Sequence, residues 1–337
     1  MRKRLMETAA PAAFVVMWSS AFIAGIIGVG AAPPMVVLFA RFACAGLVLA
    51  GYAVVVGARW PRGRQLAHVA VAGLLMQMVQ FGAFYTAMAD HVSAAVISLV
   101  QGLNPVVIAL FAGTVLGESV TVRQWIGFGV GGLGVGLAVV DQSHFSATGL
   151  VLCVVGLLGL SLGTVYQKRF VPQVDTRTNT AVHVLISAPV AGIFMLGSGD
   201  TRIADPLRFA GSLVWMVAIN AVACFLLLNA MLRRWDATRV GKLFFVTPLV
   251  TAALAWLLIA QPLRPLTIAG LGVGLIGMVL ASLRSGTRPG AAVPAANAGE
   301  SGSPASSDAG IRVRHPGRAA AAVACRSSVI AARRAPR

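Results

Sequence analysis

Residues 93–139 read SAAVISLVQGLNPVVIALFAGTVLGESVTVRQWIGFGVGGLGVGLAV, and residues 236–282 read DATRVGKLFFVTPLVTAALAWLLIAQPLRPLTIAGLGVGLIGMVLAS. A shift of 143 residues lays one stretch on the other without a gap, with 12 identities in 47 positions. Biased composition accounts for several alanine, glycine and valine matches. It does not account for the proline pair Pro105/Pro248, nor for Gly127/Gly270, Gly129/Gly272, Gly131/Gly274 and Gly134/Gly277 in fixed register. Each stretch is two apolar runs joined by a short polar turn, so the repeat is one of membrane-sized helices.

Outward from this pair, apolar runs recur along the chain at about 9–29, 34–56, 67–88, 93–116, 122–140, 147–166, 179–198, 210–231, 237–259 and 265–283. A run of roughly 18 or more apolar residues is long enough to cross a hydrocarbon core. Only 11% of the 337 residues are charged, 58% are hydrophobic and the mean hydropathy is +0.83. A soluble chain of this length needs far more charged surface. The expected fold is an all-α polytopic membrane protein of ten transmembrane helices. A 143-residue period holds five of them. Five is odd, so a tandem copy enters the membrane with the opposite orientation, as in the inverted repeats of secondary transporters. Residues 1–140 and 141–284 form the two five-helix repeats in this reading, and 285–337 a tail.

The net charge of +17 does not point to nucleic acid. The basic residues lie in short loops and in the tail rather than in a stripe with interleaved aromatics. With the N-terminus inside, 14 basic residues outside the tail fall on the inner side, among them Arg59, Arg62, Arg64, Lys168, Arg169, Arg177, Arg239 and Lys242. Only Arg202, Arg208 and Arg264 fall outside. This asymmetry puts both termini in the cytoplasm and fixes an even helix number. Trp60, Trp125 and Trp235 fall at cytoplasmic helix ends, where indoles anchor at the interface. The start Met1-Arg2-Lys3-Arg4 resembles a signal peptide, but the long run after it, without a clear cleavage site, reads as the first helix. Cys44, Cys153, Cys224 and Cys325 form no C-x-x-C pair, and no metal or cofactor is expected. The tail is rich in Ala, Gly, Ser, Pro and Arg without periodicity, reads as disordered, and is expected to be dispensable for folding.

Several motifs now stand in order: Trp18-Ser19-Ser20-Ala21-Phe22, Arg41-Phe42, Asn104-Pro105, Gly117-Glu118, the run Gly163-Thr164-Val165-Tyr166-Gln167-Lys168-Arg169-Phe170, Ala237-Thr238-Arg239-Val240 and Thr247-Pro248-Leu249-Val250. Over about residues 8–283 the chain resembles the EamA-type branch of the drug/metabolite transporter superfamily. The resemblance implies two five-helix repeats and carriage of small metabolites or amino acids, with export of amino acids or related metabolites the expected role. It implies a small-molecule substrate and the lipid bilayer as partners, in a monomer or homodimer of the inner membrane. The second repeat departs from the pattern, since Glu118 has its counterpart at Gln261.

The candidate substrate site gathers polar and aromatic residues inside the apolar runs. Arg41 lies about two turns into the second helix, where an arginine is costly and usually faces a cavity or a partner. It is a candidate anchor for a carboxylate or phosphate; the structural alternative is a bond to helix-end carbonyls, Asp90 or Asp141. Trp18, Ser19, Gln77, Gln80, Tyr85, Gln101, Asn104, Tyr166 and Asn220 complete the substrate-binding set. For any one of them interhelical hydrogen bonding is the plainer role. Pro105 and Pro248 each interrupt a helical ladder and are candidate hinges. Glu118 reads as a partner of Arg123 at a tight turn, and Lys242 as snorkelling. His68 and His183 carry no metal-ligand spacing. Acids and histidines sit at helix ends rather than centres, which speaks against a membrane-embedded enzyme. The alternative to a transporter is a membrane assembly or sensor protein.

Overall fold

In the computed structural model the described residues are 2–116, 121–140, 147–171, 173–232, 234–235 and 237–282. Glu118, Asp141 and the tail lie outside them. The helices are α1 (Arg2–Ala31), α2 (Pro34–Val55), α3 (Gly63–Ala89), α4 (Ala94–Gly102, then Asn104–Leu116) and α5 (Val122–Val140). They continue as α6 (Ala147–Phe170), α7 (Thr176–Gly197) and α8, made of Pro206–Val214, Trp215–Ala223 and Cys224–Leu232. The last two are α9 (Ala237–Gly241, Lys242–Phe245, then Thr247–Ile259) and α10 (Pro265–Ser282). Among the described residues nine helices are long and apolar enough to cross a membrane, and the bent α9 makes a tenth. The chain is an all-helical multi-pass membrane protein.

The expected first helix is longer than its apolar run, since helix geometry starts at Arg2. The expected fourth and ninth helices are not continuous. Proline lacks an amide hydrogen and crowds the carbonyl four residues back. Each of the two helices therefore restarts just ahead of its proline. Leu103 ends one stretch and its carbonyl receives the amides of Val106 and Val107. In α9 a 3-10 turn over Lys242–Phe245 precedes Thr247-Pro248, and the two parts are bent by 43°. Pro105 and Pro248 thus occupy the first turn of a new helical stretch, where proline is tolerated.

The repeats are related by a two-fold exchange, legible in contacts between equivalent residues. On α5 and α10, Gly127 lies against Gly277 and Ala281, and its equivalent Gly270 lies against Gly134 and Ala138. Gly134 meets Gly270 and Gly274, and Gly277 meets Gly127 and Gly131. As one number rises its partner's falls, so the equivalent helices run antiparallel and the repeat is inverted. A Cβ added to Gly134 would stand 2.4 Å from the Gly274 nitrogen. Only bare backbone permits this approach, the usual device for close helix contact in lipid. On α2 and α7, Gly46 meets Leu185 while Gly192 meets Phe39, again a reciprocal pair. Elsewhere the repeats exchange helices: α3 packs on α6 as α1 packs on α8, and α4 on α6 as α1 on α9. The core between them holds Phe14, Leu38, Phe42, Phe84, Tyr85, Ile97 and Leu99, while Leu47, Val55, Leu133 and Leu257 stay exposed on faces suited to lipid.

Candidate substrate site

Two cavities meet between the repeats. The first, about 90 Å³, is lined by Trp18, Phe22, Arg41, Phe81, Phe84, Tyr85, Met88, Gln101 and Asn220 among others. The second, about 450 Å³, includes Met76, Gln77, Gln80, Asn104, Pro105, Leu160, Thr164, Phe244 and Thr247 in its wall. Trp18, Phe22, Phe81 and Gln101 belong to both and form the partition.

Arg41 reaches the first cavity from α2. Its Nη1 donates to the Tyr85 hydroxyl at 2.5 Å, and its guanidinium carbon stands 4.3 Å from the centre of the Phe81 ring. Tyr85 is buried and its hydroxyl donates onward to the Met216 sulfur at 2.9 Å. Among the described residues no carboxylate pairs with Arg41, so the Asp90 alternative is not the arrangement found; Asp141 lies outside the described residues. A guanidinium carries five N–H donors in a planar fork. One is used here, the ring beneath Arg41 offers cation–π attraction, and the remaining donors suit a carboxylate. Of the described residues lining the two cavities, Arg41 alone is charged. The offset that relates α2 to α7 places Ser187 opposite it, so the symmetric scaffold needs no cation at this place.

Amides line both cavities, Gln101 and Asn220 in the one that holds Arg41. Gln80 is buried on α3 and its Nε2 donates to Gln101 Oε1 at 3.2 Å across the partition. Asn220 Nδ2 donates to the Met17 carbonyl at 2.5 Å, and its Oδ1 is buried without a partner among the described residues. Gln77 faces the second cavity. Asn104 Oδ1 accepts from Ser161 Oγ at 2.8 Å. Trp18 packs edge-on against Phe244 at 4.9 Å between ring centres.

The structure therefore brings Trp18, Arg41, Gln77, Gln80, Tyr85, Gln101, Asn104, Asn220 and Pro105 to the cavity walls. Ser19, Tyr166 and Pro248 do not line them. Ser19 is buried and donates to the Thr247 carbonyl at 3.3 Å, tying α1 to the start of the second part of α9. Tyr166 stands with His68, its hydroxyl 2.8 Å from Nδ1, beside Phe170 near the basic end of the bundle. Gln261, the counterpart of Glu118, caps α4: its Oε1 accepts from the Ala94 amide at 3.2 Å.

Sequence reasoning misses the apolar wall. Phe22, Phe81, Phe84, Met88 and Phe244 lie inside uniformly apolar runs, where a cavity-facing phenylalanine and a lipid-facing one read alike. Spacing offered one signal: Gln77, Gln80, Phe81, Phe84 and Tyr85 follow three- and four-residue steps along one helix.

Comparison with known proteins agrees with this arrangement. The chain matches the EamA-like transporter family twice, over residues 10–140 and 147–283. It is 25% identical over 279 residues to the uncharacterized inner membrane transporter YedA of Escherichia coli (strain K12), covering 80% of this chain and 89% of that protein. It is 24% identical to the uncharacterized transporter YvbV of Bacillus subtilis (strain 168), covering 83% and 92% of the two chains. It is 27% identical to a protein named "Probable terminal-alkyne amino-acid exporter" from Streptantibioticus cattleyicolor, covering 83% and 95%. One solved crystal structure superposes with a TM-score of 0.57 at 18% identity, covering 81% of this chain and 95% of its own, a likeness of fold. With two matches that follow the two halves of the bundle, the chain belongs to the EamA-like transporter family.

Proposed function

We propose that this membrane transporter is a secondary exporter of amino acids or related small carboxylates, working by alternating access between its two repeats in the inner membrane. Both termini are placed in the cytoplasm on the loop-charge asymmetry, and residues 1–140 and 141–284 act as the two moving units. The observation that carries the substrate class is Arg41. It is a half-buried guanidinium with no carboxylate partner among the described residues, mounted on a ring and a tyrosine hydroxyl in a wall otherwise neutral. A cavity mostly apolar with a few placed polar groups is the usual form of a small-molecule site. A lone cation selects substrates that bring a negative group. It disfavours net cations, which meet like charge in a low-dielectric wall. The resemblance of the chain to a protein named as an amino-acid exporter favours the same class.

The test is flux of radiolabelled alanine, leucine and phenylalanine in proteoliposomes holding the full chain. Arg41→Gln is expected to cut flux at least tenfold while the purified variant stays monodisperse, because a hydrogen bond to a charged group contributes about 1.5–3 kcal/mol. Full flux by a folded Arg41→Gln variant overturns the assignment.

A further inference from the structure

Part of each cavity wall is related to the other by the repeat. The 143-residue shift takes Asn220 of the first cavity to Gln77 of the second, and Gln101 to Phe244. On α1 and α6, where Ser19 meets the Thr247 carbonyl and Ser161 meets Asn104 Oδ1, the offset is one residue shorter. It takes Trp18 and Phe22 of the shared partition to Leu160 and Thr164 of the second wall.

Asn220 and Gln77 share a second peculiarity. Each lies in a π-helical stretch, Trp215–Ala223 on α8 and Leu74–Val79 on α3. Such widened turns are rare and gather at functional sites. Both repeats therefore widen a helix at the same place, and both put an amide there. The orientation of the Asn220 amide is fixed chemically. The Met17 carbonyl only accepts, so the nitrogen must face it and the oxygen is left over. That oxygen is buried and has no donor among the described residues. Gln77 is half-buried on the wall of the second cavity, and its side chain makes no hydrogen bond among the described residues. A buried acceptor left without a partner, as Asn220 Oδ1 is, destabilises the fold, and a donor brought by a ligand removes that cost.

We propose that Asn220 and Gln77 are paired acceptors for the ammonium group of the substrate, one serving each cavity. The proposal rests on the carboxylate reading of Arg41 and narrows it to substrates with an amino group as well. The first cavity then holds a zwitterion by complementary groups: Arg41 takes the carboxylate, Asn220 Oδ1 takes an ammonium hydrogen, and the indole of Trp18 lines the same wall. No carboxylate lines either cavity among the described residues, so neutral acceptors must do this work. When the repeats exchange conformations, Gln77 takes the part of Asn220.

The experiment uses the full-length protein and three matched pairs: alanine and propionate, leucine and 4-methylpentanoate, phenylalanine and 3-phenylpropionate. Competition binding on the wild type is expected to favour the amino acid at least tenfold in one or more pairs. Asn220→Leu is expected to lose that preference while leaving the affinity of the des-amino acid within about twofold. Asn220→Ser keeps an acceptor and should retain part of the preference, which separates loss of the contact from loss of the fold. In vesicles, Asn220→Leu should raise KM about tenfold from one face only, and Gln77→Leu from the other. Equal binding of amino and des-amino partners by the wild type, or KM shifts equal at both faces, overturns the proposal and leaves Arg41 as the carboxylate anchor. Binding of none of the six compounds overturns the carboxylate reading itself.

Discussion

Tyr85 shows how a single side chain converts packing into a positioned charge. Its ring is buried against the core, and its hydroxyl accepts from Arg41 while donating to Met216. Arg41 is thereby held beside two aromatic rings, with no carboxylate partner among the described residues. Tyr85→Phe keeps the ring and removes the link. The guanidinium then loses one restraint and recovers rotamer freedom that binding must freeze again, at about 0.5–1.5 kcal/mol for a long side chain. KM is therefore expected to rise by about threefold to tenfold, with kcat changed less. An unchanged KM in proteoliposome flux would show that Phe81 alone positions Arg41. The sequence marks Arg41 and Tyr85 as costly polar residues in apolar runs, but not that they touch. They are separated by 44 positions, and only the packing of α2 on α3 joins them.

Helix ends show what element-level patterns reveal and what they hide. Among the described residues three helices close with a left-handed residue and a hydrogen bond reaching back five or six positions. Gly57 follows α2, His91 follows α3 and Ala260 follows α9, with Ala58 bonded to Ala53, Val92 to Ala87 and Gln261 to Ala255. Glycine is the usual residue at such a cap, because a Cβ is disfavoured there. Gly57 is the one cap of the three that carries this signal in the sequence. At Ala260, φ is 52°, so the alanine pays a conformational cost that glycine avoids. Ala260→Gly is expected to stabilise the protein by up to about 1 kcal/mol, net of the greater freedom glycine gains when unfolded. A thermal-melt series in detergent checks this, and a lower midpoint counts against it. The breaks in α4 and α9 were likewise legible as prolines, but as kinks rather than restarts. Local sequence shows where a ladder loses a bond, while the packing of neighbours decides whether the helix bends through or begins again.

At the scale of the whole molecule, the repeat was legible because its strongest markers, the glycine faces of α5 and α10, must keep register to let two backbones meet. The exchange of α1 and α6 between the repeats was not legible, because a contact between distant helices leaves no local period. That exchange supplies a symmetric pair of ties. Ser19 on α1 donates to the Thr247 carbonyl, and Ser161 on α6 stands 2.8 Å from Asn104 Oδ1, with the Leu157 carbonyl as a second acceptor for its one hydroxyl hydrogen. Thr247 and Asn104 are repeat equivalents, each just ahead of a proline at which a helix restarts. Each tie thus holds one repeat's first helix against the other repeat's proline junction. In an alternating-access cycle one junction should tighten as the other loosens, so the two serines oppose each other. Removing a buried neutral hydrogen bond costs about 1 kcal/mol, a factor of about five in a two-state equilibrium. Ser19→Ala and Ser161→Ala are expected to shift the balance between the two facing states by about that factor in opposite directions. The double variant should return near the wild-type balance. Thiol labelling of single cysteines introduced into each cavity wall reads the balance directly. If both single variants move it the same way, the ties do not oppose, and the two repeats do not share the cycle as equivalent halves.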